Sequence, residues 1–173
     1  MMFRFSDWNS LRSAIQAISW PKQPVTTAAP EPFVICPRAT LTGSRRDSAA
    51  IFIDVPDITI ECGYGGFGEG CVVDRGGSHF SFGSHAVNVL VRSITFRGAR
   101  TTSQLFYYDS AVVVYEDCIW EENAALARNG AVVDINSVST VSFYRCDVAE
   151  AKQMPRVRAG LGAGFGSSIS IRK

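Results

Sequence analysis

The sequence predicts an all-β protein built as a parallel β-helix, in which a single chain winds through stacked, equivalent coils. The main observation is an apolar template that occurs three times, at one constant offset between the first two copies and another between the last two. A regular offset that repeats at every position of a template is typical of coiled repeats, in which like residues stack on like residues. The three copies are Val89, Val91, Ile94 and Phe96; Val113, Tyr115, Cys118 and Trp120; and Val141, Phe143, Cys146 and Val148.

Two further observations favour the same fold. A fourth, weaker copy of the template, Ile58 and Ile60, precedes Val89 and Val91 at a constant offset of its own. From residue 50 onward the chain has short runs of β-branched and aromatic residues with no helical stretch between them. A sandwich or jelly roll is the competing architecture, but its hairpins usually carry Asn-Gly or Asp-Gly turns, and Asn129-Gly130 is the only such dipeptide.

The first element along the chain is a predicted amphipathic helix over residues 6–18. Its apolar stripe recurs at helical spacing and consists of Trp8, Leu11, Ile15 and Ile18. Ser6 or Asp7 can accept the unpaired amide hydrogens of the first turn. A single helix before an all-β chain is expected to cap the open end of the β-helix, where a strand edge and the core would otherwise be exposed.

Length and charge set the domain organisation. A chain of 173 residues is long enough for one domain with a real core. We expect a β-helix domain over residues 1–150, including the cap helix, and a basic, Gly-rich C-terminal extension or last irregular coil over residues 151–173. That tail has five basic residues and no acidic one, whereas the rest of the chain has more acidic residues than basic ones.

The net charge of +1 gives no overall basic field, so we do not expect a nucleic-acid partner. The sequence contains no run of about 18 apolar residues, so no transmembrane segment is predicted. Peripheral membrane attachment stays open. The N-terminus has no recognisable secretory signal, and the compartment is not predicted.

The five cysteines contain no CxxC pair, which excludes an ordinary zinc-ribbon pattern. Cys118 and Cys146 occupy equivalent template positions, and the simpler interpretation is an inward stack of small apolar thiols. The alternative is a disulfide, for which Cys62 and Cys71, on either side of a Gly-rich loop, are the best pair.

The chain resembles the right-handed parallel β-helix repeat proteins of the pectate-lyase-like superfamily. The residues that carry the resemblance are the leading helix Asp7–Ile15, the extended segment Phe33–Pro37 and the pattern Val-x-Tyr-x-x-Cys-x-Trp-x-x-Asn at Val113–Asn123. The resemblance implies a right-handed coil of three sheets, with apolar, aromatic and Cys ladders inside and Asn or Gly at the corners. About six coils fit between the helix and the tail.

The catalytic signatures of the enzymes in that superfamily are missing. Pectate lyases carry Arg-x-Pro-x-x-Arg, and the nearest string here, Met154–Arg158, lacks the first Arg and the spacing. The Asn-Thr-Asp, Asp-Asp and Gly-His-Gly motifs of polygalacturonase-type hydrolases do not occur. We therefore expect a non-catalytic structural or binding module that presents a lateral face to protein partners in an assembly or to a glycan. The alternative is a divergent polysaccharide lyase or glycoside hydrolase acting on an acidic polysaccharide.

Aspartates at predicted strand ends are the candidate catalytic or metal-binding residues of that alternative. If they lie on adjacent coils, about 4.8 Å apart, they would form a column of carboxylates. Such a column could bind Ca²⁺ or supply the paired carboxylates of a glycoside hydrolase; otherwise no cofactor is expected. Aspartate as an ordinary turn residue is the simpler interpretation. The residues concerned are Asp74, Asp109 and Asp134, with Asp54 as a fourth strand-end aspartate.

Aromatic and basic residues are the candidates for binding. If they point outward, one group would provide the aromatic and cationic surface that sugar rings or protein partners contact. This group is Arg97, Phe106, Tyr107 and Tyr108. A second group in the basic tail would dock onto an acidic partner or a neighbouring subunit. This group is Lys152, Arg156 and Arg158.

The two histidines, His79 and His85, each follow a Gly-Ser pair. We expect both at the surface or at a corner, without a catalytic role.

Overall fold

The structure is a computed structural model and describes residues 4–18, 31–43, 50–74, 76–106, 110–123, 132–135, 138–149, 158–159 and 168–172. From residue 148 onward only the backbone is described. The described part has one α-helix, α1 (Trp8–Ile18), and a short 3₁₀ turn at Tyr64–Gly66. Its strands are β1 (Arg4–Phe5), β2 (Phe33–Ile35), β3 (Thr40–Thr42), β4 (Ile51–Ile53), β5 (Thr59–Cys62), β6 (Cys71–Asp74), β7 (Phe80–Phe82), β8 (Val89–Arg92), β9 (Ile94–Arg97), β10 (Gln104–Phe106), β11 (Val112–Glu116), β12 (Ile119–Glu121), β13 (Val133–Ile135), β14 (Thr140–Tyr144), β15 (Asp147–Ala149), β16 (Arg158–Ala159) and β17 (Ser168–Arg172).

The strands form three parallel sheets, as the template predicted. Sheet A has the order β1-β2-β5-β8-β11-β14-β17, sheet B the order β3-β6-β9-β12-β15 and sheet C the order β4-β7-β10-β13-β16. The chain therefore passes from sheet A to B to C and then returns to A one level higher, which is a β-solenoid. Strands β2 to β13 make about four complete turns. Strands β14 to β16 belong to a fifth turn that is described only in part, and β17 adds one more strand to sheet A. The all-β parallel fold is confirmed, with about four turns rather than about six, because the long connections between strands leave room for fewer turns.

The register of the sheets confirms the predicted core ladder. In sheet A, Tyr115 pairs with Val91 on one side and with Phe143 on the other. The Tyr115 and Phe143 rings stack with their centroids 5.3 Å apart. In sheet B, Trp120 pairs with Phe96, and their rings stack at 5.4 Å. The constant offsets of the template therefore mark successive turns, and equivalent side chains of these turns lie one above another in the buried apolar core.

The corner between sheets A and B follows one backbone rule in every turn. A residue with positive φ stands at the same level in each turn, just before the strand of sheet B, and these residues follow one another up the solenoid: Arg38, Gly70, Ser93, Asp117 and Arg145. Their φ values lie between 47° and 68°, a left-handed conformation that costs a non-glycine residue about 1 kcal/mol or more. The longer corner between β5 and β6 has further glycines with positive φ. The amide hydrogen of Ser93 is donated to the carbonyl of Glu116 in the next turn, at 2.9 Å. Pairing with the next turn thus stabilises a backbone conformation that the residue itself disfavours.

Helix α1 confirms the predicted amphipathic helix and begins slightly later than predicted. The carboxylate of Asp7 caps it, because it accepts hydrogen bonds from the Ser10 amide at 2.9 Å and the Ser10 hydroxyl at 2.6 Å. The buried stripe packs toward β4 and β1 at the N-terminal end of the solenoid. It consists of Trp8, Leu11 and Ile15. Ile18, predicted to continue the stripe, is 43% exposed at the last helical position. In the described residues no helix has the length and apolar character needed to cross a bilayer.

A buried hydrogen-bonded network lies inside the second to fourth turns. His79, predicted at the surface or a corner, is fully buried. Its Nδ1 lies 2.7 Å from Ser103 Oγ and its Nε2 lies 3.2 Å from the carbonyl oxygen of Arg97. Gln104 Nε2 donates to Ser103 Oγ at 3.0 Å, and the Tyr115 hydroxyl donates to Gln104 Oε1 at 3.1 Å. A neutral imidazole satisfies both of its contacts if Nε2 donates and Nδ1 accepts, and burial lowers the pKa of His79 to about 4.

Acidification should therefore destabilise the fold through His79. Between the ordinary pKa of 6.5 and the folded value of about 4, the unfolded chain binds a proton that the folded chain does not. The free energy of unfolding therefore falls as the pH decreases through that window and recovers as the pH rises. A shift of this size corresponds to about 3 kcal/mol. Urea unfolding of the wild type and of His79→Gln, at neutral pH and at several pH values within the window, measures the difference.

The matched control is Gln104→Met, which removes a member of the same buried network that does not titrate. It should lower the free energy of unfolding by a similar amount at each pH and so keep the wild-type pH dependence of stability. If His79→Gln lost as much stability on acidification as the wild type does, the buried histidine would not be the cause.

Candidate functional site

The most prominent departure from the regular solenoid is the loop Gly63–Gly70, called the aromatic loop below. It connects β5 to β6 at the corner between sheets A and B. One turn further on, a single residue, Ser93, makes the same connection between β8 and β9. The aromatic loop is therefore an insertion at a position where the fold requires only one residue.

The aromatic loop presents two large side chains to solvent. Phe67 is 92% exposed and Tyr64 is 65% exposed, the two highest values among the exposed large hydrophobic residues of the described chain. Single exposed apolar residues are common on protein surfaces. Two aromatic residues within four positions, both exposed to solvent, are a more specific feature and are characteristic of contact surfaces.

A disulfide and backbone hydrogen bonds close the base of the loop. Cys62 and Cys71 form a disulfide with their Cα atoms 5.6 Å apart, which confirms the predicted pairing. The amide of Gly68 donates to the carbonyl of Cys62 at 2.8 Å, and the amide of Gly63 donates to the carbonyl of Ile35 at 2.9 Å. The loop therefore leaves and rejoins the solenoid at one defined place.

An ion pair between a buried glutamate and a partly exposed arginine anchors the middle of the loop to the next turn. Glu61 is 1% exposed. Its Oε1 accepts a hydrogen bond from the Gly65 amide at 2.9 Å, and its Oε2 accepts from Arg92 Nε at 2.9 Å and Arg92 Nη2 at 2.6 Å. The Ser93 hydroxyl adds a hydrogen bond to the Gly66 carbonyl at 2.8 Å. Charge-assisted hydrogen bonds of this kind are about twice as strong as neutral ones, so the loop backbone is anchored to the next turn.

Arg97, predicted as a binding residue, lies on the outer face of sheet B between two carboxylates. The register places Asp74, Arg97 and Glu121 in one line across β6, β9 and β12. Arg97 Nε donates to Asp74 Oδ1 at 3.0 Å, and Arg97 Nη1 lies 3.6 Å from Glu121 Oε1. The hydrogen bond to Asp74 raises the pKa of Arg97. The guanidinium is thus already paired within the fold, while its side chain remains 36% exposed.

Phe106 was predicted to line a binding face, but it is fully buried and stacks on Phe82 with ring centroids 4.6 Å apart. The prediction failed because a run of consecutive apolar residues does not reveal which of them point inward. The other proposed binding residues, Tyr107, Tyr108, Lys152 and Arg156, lie outside the described residues, and of Arg158 only the backbone is described, in β16.

The described aspartates do not form the predicted column. Asp74 ends β6 in sheet B, whereas Asp134 lies in the middle of β13 in sheet C. Asp54 follows β4 and does not align with Asp134. The residue of β4 that aligns with Asp134 across sheet C is Phe52. The apolar residues before Asp134 suggested a strand end, but the strand continues to Ile135. Asp109 lies outside the described residues.

The aspartates differ in environment as well as in position. Asp134 is fully buried, and neither of its carboxylate oxygens has a hydrogen-bond partner among the described residues. Asp54 Oδ1 accepts from the His85 amide at 2.9 Å and lies 3.1 Å from His85 Nδ1. Ser84 Oγ lies 3.5 Å from that same ring nitrogen, so Ser84, His85 and Asp54 do not have the relay geometry of a catalytic triad. In the described part of the chain no three His, Cys, Asp or Glu side chains converge on a possible metal site.

Sequence reasoning identified the Gly-rich loop but not its two aromatic residues as a site. The available signal was the composition: Tyr64 and Phe67 stand among glycines, in a segment flanked by two cysteines and therefore open to a disulfide. Apolar residues in such a context have no partners in a strand or helix, so exposure could have been inferred.

Comparisons with known proteins identify no relative. No protein-family model matches the chain, and no curated protein and no solved structure matches it either.

Replacement of Gly66 by alanine should disturb the anchoring of the aromatic loop. Gly66 has φ +73°, and an added Cβ would lie 2.7 Å from Arg92 Cδ and 2.8 Å from Arg92 Nε. The backbone conformation alone costs about 1 kcal/mol, and displacement of Arg92 would also weaken its ion pair with the buried Glu61. We expect Gly66→Ala to lower the free energy of unfolding by about 2 kcal/mol or more, measured by urea denaturation.

Gly70→Ala is the matched control. Gly70 also has positive φ, at +68°, but the nearest atom to its added Cβ is 3.7 Å away, on Arg38. It should therefore show only the backbone cost. Equal destabilisation by the two substitutions would mean that the contact with Arg92 does not anchor the loop.

Proposed function

We propose that this protein is a non-catalytic β-solenoid binding module whose lateral surface contacts a partner through the aromatic loop. The observation that carries the proposal is the exposure of Tyr64 and Phe67 on a loop that the rest of the fold holds in place. We favour a protein partner over a glycan.

The energetics of the exposed rings support a contact role. Burying a phenylalanine side chain stabilises a complex by about 1.5 to 3 kcal/mol. An aromatic ring that is 92% exposed in the free protein can gain nearly all of this on binding. Aromatic residues that insert into a partner's pocket commonly dominate binding energy.

The anchoring of the loop supports the same role. A mobile loop loses conformational freedom when it binds, at a cost of about 0.5 to 1.5 kcal/mol for each ordered side chain and more for the backbone. The disulfide Cys62–Cys71 and the hydrogen bonds to Glu61 restrict the backbone before binding. Much of the conformational entropy of the loop backbone is therefore already lost on folding, so less is lost on binding and the affinity is higher.

The polar groups around the loop favour a protein partner. Sugar sites combine an aromatic platform with polar side chains that bond the sugar hydroxyl groups. Here the nearby polar side chains of Glu61, Arg92 and Ser93 bond the loop backbone and one another. Two of the three side chains of the loop, Tyr64 and Phe67, are aromatic, and the third is the exposed Glu69. An aromatic centre with a charged residue beside it is typical of a protein–protein interface.

The missing lyase and hydrolase motifs and the pairing of Asp74 with Arg97 support the absence of catalysis. Asp74 and Asp134 lie in different sheets and so do not provide the stacked carboxylates on which the enzyme alternative was based.

The double substitution Tyr64→Ser/Phe67→Ser should abolish partner binding while the fold is kept. The native-source proteins that cross-link to the wild type should be recovered at least tenfold less with the double variant, by quantitative mass spectrometry. With the partner then purified, Phe67→Ser alone should raise Kd roughly 30-fold, since about 2 kcal/mol of apolar burial is lost. Near-identical melting temperatures would establish that folding is intact.

The matched control is Ile119→Ser, which removes an exposed apolar residue from the outer face of sheet B, 39% exposed. It should bind as the wild type does. Unchanged cross-linking by the double variant would refute the role of the loop, whereas loss of binding to a glycan array in the double variant would identify a glycan as the partner instead.

A further inference from the structure

Cys118 and Cys146 occupy the same position in consecutive turns, directly after the corner between sheets A and B. Strands β12 and β15 pair Ile119 with Asp147, so the two cysteines that precede these residues are also level with each other. The amide of Asp147 donates to the carbonyl of Cys118 at 2.9 Å, so the backbones of the two strands are hydrogen-bonded beside the cysteines. Neighbouring parallel strands are about 4.8 Å apart.

The two thiols differ in access to solvent. Both are free; Cys118 is buried and Cys146 is partly exposed. Each thiol donates to a carbonyl of the corner before it, Cys118 to Glu116 at 3.3 Å and Cys146 to Tyr144 at 3.2 Å. The neighbouring Cys118 lowers the pKa of Cys146. Burial raises the pKa of Cys118. Cys146 is thus the thiol that a reagent in solution would meet first, and it is the better nucleophile of the pair.

We propose that Cys118 and Cys146 are a reversible disulfide site that fastens the fifth turn of the solenoid to the fourth. A disulfide requires Cα atoms about 4.4 to 6.8 Å apart, and the strand spacing falls within that range. Cys71 stands at the equivalent level two turns earlier, one residue before Val72, and forms a disulfide there with Cys62 of its own turn. The inference does not depend on the aromatic loop or on its partner.

The oxidant is a low-molecular-weight disulfide, and the reaction is thiol–disulfide exchange. The Cys146 thiolate attacks one sulfur of the oxidant, which forms a mixed disulfide and releases one thiolate. Cys118 then loses its proton to solvent and attacks Cys146 Sγ, so that the Cys118–Cys146 bond forms and the second thiolate leaves. The two cysteines lose two protons and two electrons, and one disulfide molecule is reduced to two thiols.

The position of the bond suggests its use. In a solenoid each turn is stabilised mainly by its neighbours, so terminal turns open most easily. Helix α1 covers the N-terminal end. At the other end, the described side-chain link at this corner is the pair of Asp117 and Arg145, with distances of 2.6 and 2.7 Å. This pair is bidentate, but both side chains are exposed to solvent, and it is not covalent. A covalent bond beside it would hold the fifth turn in place.

The test is incubation of the folded protein with oxidised glutathione, followed by alkylation of the remaining thiols, digestion and mass spectrometry. The wild type should yield a Cys118–Cys146 cross-linked peptide. Cys118→Ser should instead accumulate the glutathione adduct on Cys146, and Cys146→Ser should leave Cys118 unmodified. Cys36→Ser, which removes the remaining free cysteine, should cross-link as the wild type does.

A second measurement separates a structural role from simple reactivity. Oxidation should raise the melting temperature of the wild type by roughly 5 to 10 °C, because the bond closes a long loop. It should not raise that of Cys118→Ser, which retains Cys62 and Cys71 and so controls for the existing disulfide. Recovery of Cys118 and Cys146 only as alkylated thiols or as glutathione adducts in the oxidised wild type would overturn the proposal.

Discussion

In-register stacking of parallel strands is the constraint on which the whole structure depends. Each turn has to place an inward side chain directly above an inward side chain of the turn below, as Tyr115 lies between Val91 and Phe143. A slip of one residue would reverse the inside and outside of a strand. The interior therefore selects apolar and aromatic residues at fixed spacing, and insertions are tolerated only where strands end.

This constraint explains why the fold could be predicted from a single sequence. The template at Val113, Tyr115 and Trp120 recurs because the same level of the sheets recurs in each turn, so its period can be read without any knowledge of the structure. The number of turns was less predictable, since turns vary in length by the size of their corners. The burial of His79 could not be predicted either. Its ring nitrogens hydrogen-bond to Ser103 and to the carbonyl of Arg97, which are distant in sequence.

The candidate site was only partly predictable, for a related reason. The stacking rule governs inward residues and says little about outward ones, so Phe106 could not be assigned to a face from a run of apolar residues. Asp74 and Asp134 both follow apolar pairs in sequence, yet they lie in different sheets. Glycines and flanking cysteines marked Gly63–Gly70 as a loop, and the offset that aligns Ile60 with Val91 also aligns Glu61 with Arg92. Only the structure shows that Glu61 also accepts a hydrogen bond from the loop backbone, which makes the loop a defined surface.

The corner between sheets A and B combines these features. Sheet interiors leave no freedom for variation, whereas this corner needs only one residue of positive φ in each turn and is accessible to solvent. An insertion there, such as the aromatic loop, does not disturb the stacking above or below it. Inward residues beside the same corner lie at one level from turn to turn, which places Cys118 against Cys146. One geometric property, a corner that repeats without shifting, therefore both permits an exposed contact loop and brings two thiols within reach of each other.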